Sequence, residues 1–116
     1  YDSWASANGI SGEPATGDFD LDGISNLMEY ALAGLDPTRS DAAPGTLVGN
    51  VLTFTKRAEA VANGDVTYVI QQSISLGVAP TPWVTATPVV EDSSTISWIL
   101  PGGSPKEFAR LMVTRN

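Results

Sequence analysis

The sequence predicts a mainly β protein with a small α part, in which a helix, an acidic loop and a second helix pack on an antiparallel β-sandwich. Three observations carry this expectation. The hydrophobic period changes from 3.6 residues to 2 near residue 46. All of the excess negative charge lies before that change. After it, strand-like runs and turn clusters alternate about every ten to fifteen residues, the rhythm of a sandwich with no helix between its strands. The chain of 116 residues is long enough for one compact domain with a sizeable core. It divides by composition into residues 1–45, the helix–loop–helix segment, and residues 46–116, the β part.

The α part opens with Tyr1, Trp4, Ala5 and Asn8, a spacing that suits a short helix ending at Gly9, with Asp2 near its positive end. Glycines and Pro14 then break any periodicity up to Gly17. A second apolar stripe runs through Ile24, Leu27, Met28, Ala31 and Leu32, at i, i+3, i+4, i+7 and i+8. Asn26 and Glu29 have the spacing of a capping pair, and Gly34 followed by Asp36-Pro37 marks the stop. Leu27, Met28 and Leu32 are expected to face the sandwich.

In the β part, Gly49-Asn50 between Leu47-Val48 and the run Val51 to Lys56 predicts a hairpin with a two-residue turn. Val66, Tyr68, Ile70 and Ile74 alternate with polar residues and share one face. Runs over residues 83–90, 95–100 and 107–114 complete six or seven strands, with Pro101-Gly102-Gly103-Ser104-Pro105 a turn between the last two.

Composition narrows the chemistry. With 42% hydrophobic and 16% charged residues, the chain has the make-up of a folded globule. It contains no cysteine and no histidine, which removes disulfides, thiolate metal sites and the commonest general base and transition-metal ligand. Only hard cations with oxygen ligands remain plausible. Residues 1–45 carry eight acids and one base, Arg39, while residues 46–116 are balanced, so the whole net charge of −7 belongs to the first segment. Such a segment repels phosphate backbones and attracts cations, so nucleic acid is a poor partner. No apolar run approaches the ~20 residues needed to span a bilayer, so membrane insertion is not expected. The chain starts at Tyr1, without an initiator Met, and is expected to be a module of a longer protein.

The acidic loop is the most specific feature. From Asp18 to Glu29, oxygen-bearing side chains stand at positions one, three, five, nine and twelve (Asp18, Asp20, Asp22, Asn26, Glu29), with Gly23 at six and the Ile24 carbonyl at seven. Calcium takes six to eight oxygens at about 2.4 Å, and a chain can deliver them from alternate residues only by wrapping the ion, which needs a sharp turn at position six. The alternative is an acidic surface turn before a capped helix, but the full pattern would match by accident at roughly one position in a million. Ca2+ is therefore the expected cofactor, with Asp18, Asp20, Asp22, Ile24, Asn26 and Glu29 as ligands; magnesium prefers fewer protein ligands. Asp36 is a weaker candidate, since aspartate before proline needs no metal.

Ser25 stands where a paired EF-hand has an aliphatic residue, and no helix leads into the loop. A solitary loop of this kind resembles those of dockerins and of bacterial thrombospondin type 3 repeats. The phrase Tyr1-Asp2-Ser3-Trp4-Ala5, then Asn26-Leu27-Met28-Glu29-Tyr30-Ala31-Leu32 and Asp36-Pro37, looks like the start of a C-terminal module of large exported bacterial proteins. Residues Tyr68 to Ser73, Leu76, Trp83 and Phe108 to Val113 follow the rhythm of that module's β half. The resemblance implies an extracytoplasmic, secreted or cell-surface, non-catalytic structural module whose partners are other domains of the same parent protein. The competing expectation is a carbohydrate-binding or adhesion module using exposed aromatics on glycans. Of the three tryptophans, Trp4 and Trp98 fall on apolar stripes, which leaves Trp83 as the one placed for such a surface. No nucleophile with an adjacent base is visible, so an enzyme is not expected.

Overall fold

A computed structural model describes residues 1–42, 44–73, 84–88, 90–100 and 108–116. Among the described residues, three short helices, α1 (Asp2–Ala7), α2 (Asn26–Ala31) and α3 (Ala58–Asn63), accompany seven strands: β1 (Thr46–Val48), β2 (Val51–Thr55), β3 (Val66–Ser73), β4 (Val84–Thr85), β5 (Val90–Glu91), β6 (Thr95–Ile99) and β7 (Phe108–Arg115). The strands form two antiparallel sheets, ordered β1-β2-β6-β5 and β4-β3-β7. This is the mainly β sandwich with a small α part that the patterning predicts. Ile74, Leu76, Trp83 and the Pro101–Pro105 turn lie outside the described residues.

The alternation in the strands becomes burial. Phe54, Ile96 and Trp98 from one sheet meet Tyr68, Ile70 and Leu111 from the other in a single core, joined by Ala31 and Leu32 at the end of α2. Val48 pairs with Val51, so the hairpin turn is Gly49-Asn50 as expected, and the positive φ of 59° falls on Gly49.

Four expectations are corrected. First, α3 stands between β2 and β3, where no helix was expected. Its segment Ala58-Glu59-Ala60-Val61-Ala62 consists mostly of strong helix formers, and Gly64 closes it in the left-handed conformation with N–H bonds to the Ala60 and Val61 carbonyls. Second, the run over residues 83–90 is not one strand. β4 pairs with β3 and β5 with β6, so the chain changes sheet between them, at Thr87-Pro88, where proline has no N–H to continue a ladder. Third, α2 is capped by Ser25, not by Asn26, and ends before Gly34. Ser25 has extended backbone and its Oγ accepts from Met28 N–H at 3.2 Å. Leu32 leaves the helix to form a bridge with Lys56, and Ala33 N–H donates to the Thr55 carbonyl, so the chain continues along β2.

α2 therefore lies between two clusters. Ala31, Leu32 and Met28 pack on the sandwich core, whereas Leu27 and Tyr30 join Tyr1, Trp4, Ala5, Ile10 and Ala60 in a second one. The expectation that Leu27 faces the sandwich is thus corrected too. Trp4 lies 5.4 Å from the Tyr30 ring, and Tyr1 meets Tyr30 edge-on at 5.7 Å. Both Trp4 and Trp98 are buried.

Arg57, at the end of β2, fastens the C-terminal end of α2. Its side chain donates to the carbonyls of Glu29, Tyr30, Leu32 and Leu35 at 2.8–3.0 Å, and its backbone N–H donates to Ala31. A helix leaves its last four carbonyls without helical partners, and here one residue from the β part satisfies most of them. Arg57→Ala is expected to lower stability by about 3 kcal/mol or more in urea unfolding, with Arg57→Lys recovering less than half, because the lost bonds come from a charged group to partly buried carbonyls. A loss below about 1 kcal/mol would mean that water replaces the guanidinium without cost.

Candidate metal centre

The loop before α2 folds around its own backbone. Asp18 accepts from Asp22 N–H at 3.2 Å and from Gly23 N–H at 2.8 Å, and Asp22 Oδ1 accepts from Ile24 N–H at 2.9 Å. Asp20 Oδ1 accepts weakly from Asp22 N–H at 3.3 Å. These bonds require a tight reversal, and the backbone supplies it with positive φ at Leu21 (60°) and Gly23 (88°). The mouth of the loop is closed by Asn26 N–H on the Gly17 carbonyl at 2.7 Å and Leu27 N–H on Ala15 at 2.9 Å.

Two groups of carboxylates result, each with ligand oxygens within 4.8 Å of one another: Asp18, Asp20 and Asp22, and Asp22, Glu29 and Asp41. Asp22 belongs to both. These acidic groups could hold a metal ion.

Of the residues expected as ligands, Asp18, Asp20, Asp22 and Glu29 fall in these groups. Asn26 is fully buried, but its amide is already engaged: Oδ1 accepts from Phe19 N–H at 3.1 Å and Nδ2 donates to the Pro14 carbonyl at 3.0 Å. Ile24 lies inside the loop, with its side chain buried and its N–H on Asp22. Asp36 stands apart. Its Oδ1 accepts from Thr38 N–H at 2.9 Å and Thr38 Oγ1 at 2.7 Å, the turn role expected of aspartate before proline. Asp41 is the residue that sequence reasoning missed. Its one signal in the sequence is its place shortly after Asp36, beyond the helix.

Glu29 is the most constrained of the set. It is fully buried, and neither carboxylate oxygen has a hydrogen-bond partner; Asp20 Oδ2 is a third buried oxygen without one. Burial, then the charges of Asp20, Asp22 and Asp41, push the Glu29 carboxyl up to about 8. Asp20 is also raised, by burial and by Asp22 beside it. Burial pushes Asp22 upward as well, but the N–H groups of Asp41 and Ile24 outweigh it, so Asp22 stays ionised below the ordinary range. No family model, curated protein or solved structure matches this chain.

The raised Glu29 carboxyl predicts an unusual pH dependence. Between its ordinary pKa of 4.5 and about 8, the folded state holds a proton that the unfolded state has released, so stability falls as pH rises through that window. The carboxylates with lowered pKa values, Asp22, Asp36, Asp65 and Asp92, act in the opposite sense, but only below about pH 4. In chelator, the thermal midpoint is expected to drop from pH 5 to pH 8, and Glu29→Gln is expected to flatten that slope and melt higher than wild type at pH 8. A wild-type midpoint that rises across this range would show that Glu29 ionises freely.

Proposed function

We propose that the Asp18–Glu29 loop binds a calcium ion as a structural cross-link, in a non-catalytic module of a larger exported protein. The observation that carries the reading is Glu29, a buried glutamate with two unpartnered oxygens set among other carboxylates. Ionised, such a group is an unpaired buried charge; protonated, it is a buried carboxyl without a hydrogen-bond partner, and both states are costly. A divalent cation removes that cost. The donors are all oxygen, most of them carboxylate, in a chain with no cysteine or histidine, which suits calcium over softer metals and, by the number of protein ligands, over magnesium.

Asp18, Asp20, Asp22 and Glu29 would hold the ion, with the Ile24 carbonyl completing the loop's contribution. When bound, the ion supplies positive charge at the centre of the acidic group. The chain's own bonds prepare the site: Asp18 and Asp22 are oriented by loop N–H groups, Asn26 clamps the loop to Pro14 and Phe19, and Ser25 starts the helix that delivers Glu29. The ion would then fix α2, and α2 joins the two hydrophobic clusters. An affinity of about 10⁻⁴ to 10⁻³ M would suffice outside the cytoplasm. Spacing or attachment of neighbouring domains is the role such a module would serve, as the resemblance to exported bacterial modules implies.

A thermal melt with and without calcium tests this. At about one hundred times the dissociation constant, calcium is expected to stabilise wild type by about 2.7 kcal/mol, roughly 10 °C in midpoint for a domain of this size, and to leave Asp20→Ala nearly unmoved. Equal shifts in both proteins, or none in wild type, would sink the calcium reading.

A further inference from the structure

Asp41 is held against the loop by bonds that the loop itself does not need. Its backbone N–H donates to Asp22 Oδ2 at 2.9 Å across 19 positions of chain, and its own Oδ2 accepts from Asp36 N–H at 2.7 Å. The fold thus brings a further carboxylate to within 4.8 Å of ligand oxygens of Asp22 and Glu29, although Glu29 is already buried without a partner. Among the described residues, no ion pair reaches this group. The ion pairs Tyr1–Asp65, Lys56–Glu91 and Arg115–Asp2 all lie elsewhere, and the Arg57 guanidinium is spent on carbonyls. Three converging carboxylates, one of them fully buried, repel one another when ionised, and a cation among them relieves that repulsion.

We propose that Asp41 is a ligand to the same calcium ion as the loop, reaching in from outside it, and that binding thereby fastens residues 36–42 onto the acidic loop. The proposal rests on the calcium reading above and adds a ligand and a consequence to it. Asp41 is the link because one carboxylate meets the ion's other ligands while its N–H and Oδ2 hold Asp22 and Asp36. The segment it anchors carries Arg39, which is exposed, so the state of the segment can be read by trypsin at the Arg39–Ser40 bond.

The experiment compares wild type, Asp41→Asn and Asp36→Asn by calcium titration calorimetry and by trypsin cleavage in chelator and in calcium. Asparagine keeps the shape of Asp41 and an oxygen for Asp36 N–H, and matching far-ultraviolet spectra and cleavage rates in chelator establish that the variants are folded alike. Wild type is expected to bind one ion and to lose cleavage at Arg39 when it does. Asp41→Asn is expected to bind at least about tenfold more weakly, as loss of a charged ligand requires, and to remain cleavable even at saturating calcium. Asp36→Asn should bind and be protected like wild type. Wild-type affinity or full protection in Asp41→Asn would overturn the proposal, as would two ions in wild type of which Asp41→Asn loses only the second. Absence of calcium binding to wild type would overturn the underlying reading and this proposal with it, whereas normal binding to both proteins would overturn the proposal alone.

Discussion

Removing the Glu29 carboxylate from water, with no donor to replace the lost hydration, is the constraint around which the rest of this protein is arranged. A chain can meet such a constraint by protonating the group or by supplying a counter-charge. Protonation is what the fold does alone, since the carboxyl is held up to about 8 by burial and by Asp20, Asp22 and Asp41. That solution weakens just as pH reaches neutrality. A cation is the other solution, and it would use the neighbouring carboxylates that make protonation necessary. The residues that burden the empty site would then be its ligands.

The position of Glu29 explains why the arrangement matters beyond the loop. It stands in the middle of α2, a helix of 6 residues, far too short to persist by its own hydrogen bonds. Everything that keeps α2 helical comes from outside it: Ser25 and the acidic loop at one end, Arg57 at the other, and the two clusters along its sides. Tyr68 adds a buried hydroxyl bond to the Ala31 carbonyl at 2.7 Å. The helix is thus the place where the acidic segment and the sandwich hold one another.

The parts of this structure that were legible in the sequence are those decided by local rules. Period-2 alternation placed Val66, Tyr68 and Ile70 on an inner face, Gly49-Asn50 marked its turn, and the spacing of Asp18, Asp20, Asp22 and Glu29 brought their carboxylates into two adjoining groups. What escaped depends on contacts between distant segments. Asp41 reaches Asp22 only because Leu32 leaves the helix to pair with Lys56, which sends the following chain back past the loop. No local pattern in the sequence marks Arg57, and only the fold places it under the carbonyls of α2. α3 was hidden because an alanine-rich segment between strong strands carries helix propensity but little apolar periodicity. Ser25 departs from the EF-hand pattern at position eight, and in the fold the same residue caps α2.

These contacts pack the acidic segment against the sandwich, although their compositions differ sharply. Ala60, Val66 and Val113 of the β half pack with Tyr1, Trp4 and Tyr30, and Ala31 and Leu32 complete the sandwich core. Asp65 ties the seam further, accepting from the Tyr1 amine at 2.7 Å and from the Tyr30 hydroxyl at 2.8 Å. Opening the loop would therefore reach beyond the loop, because α2 would lose its N-terminal support and each cluster would lose the α2 side chains packed in it. An ion bound at the proposed site would act on the stability of the whole domain. Its binding energy would oppose global unfolding, and that is how a site of modest affinity could serve a structural purpose.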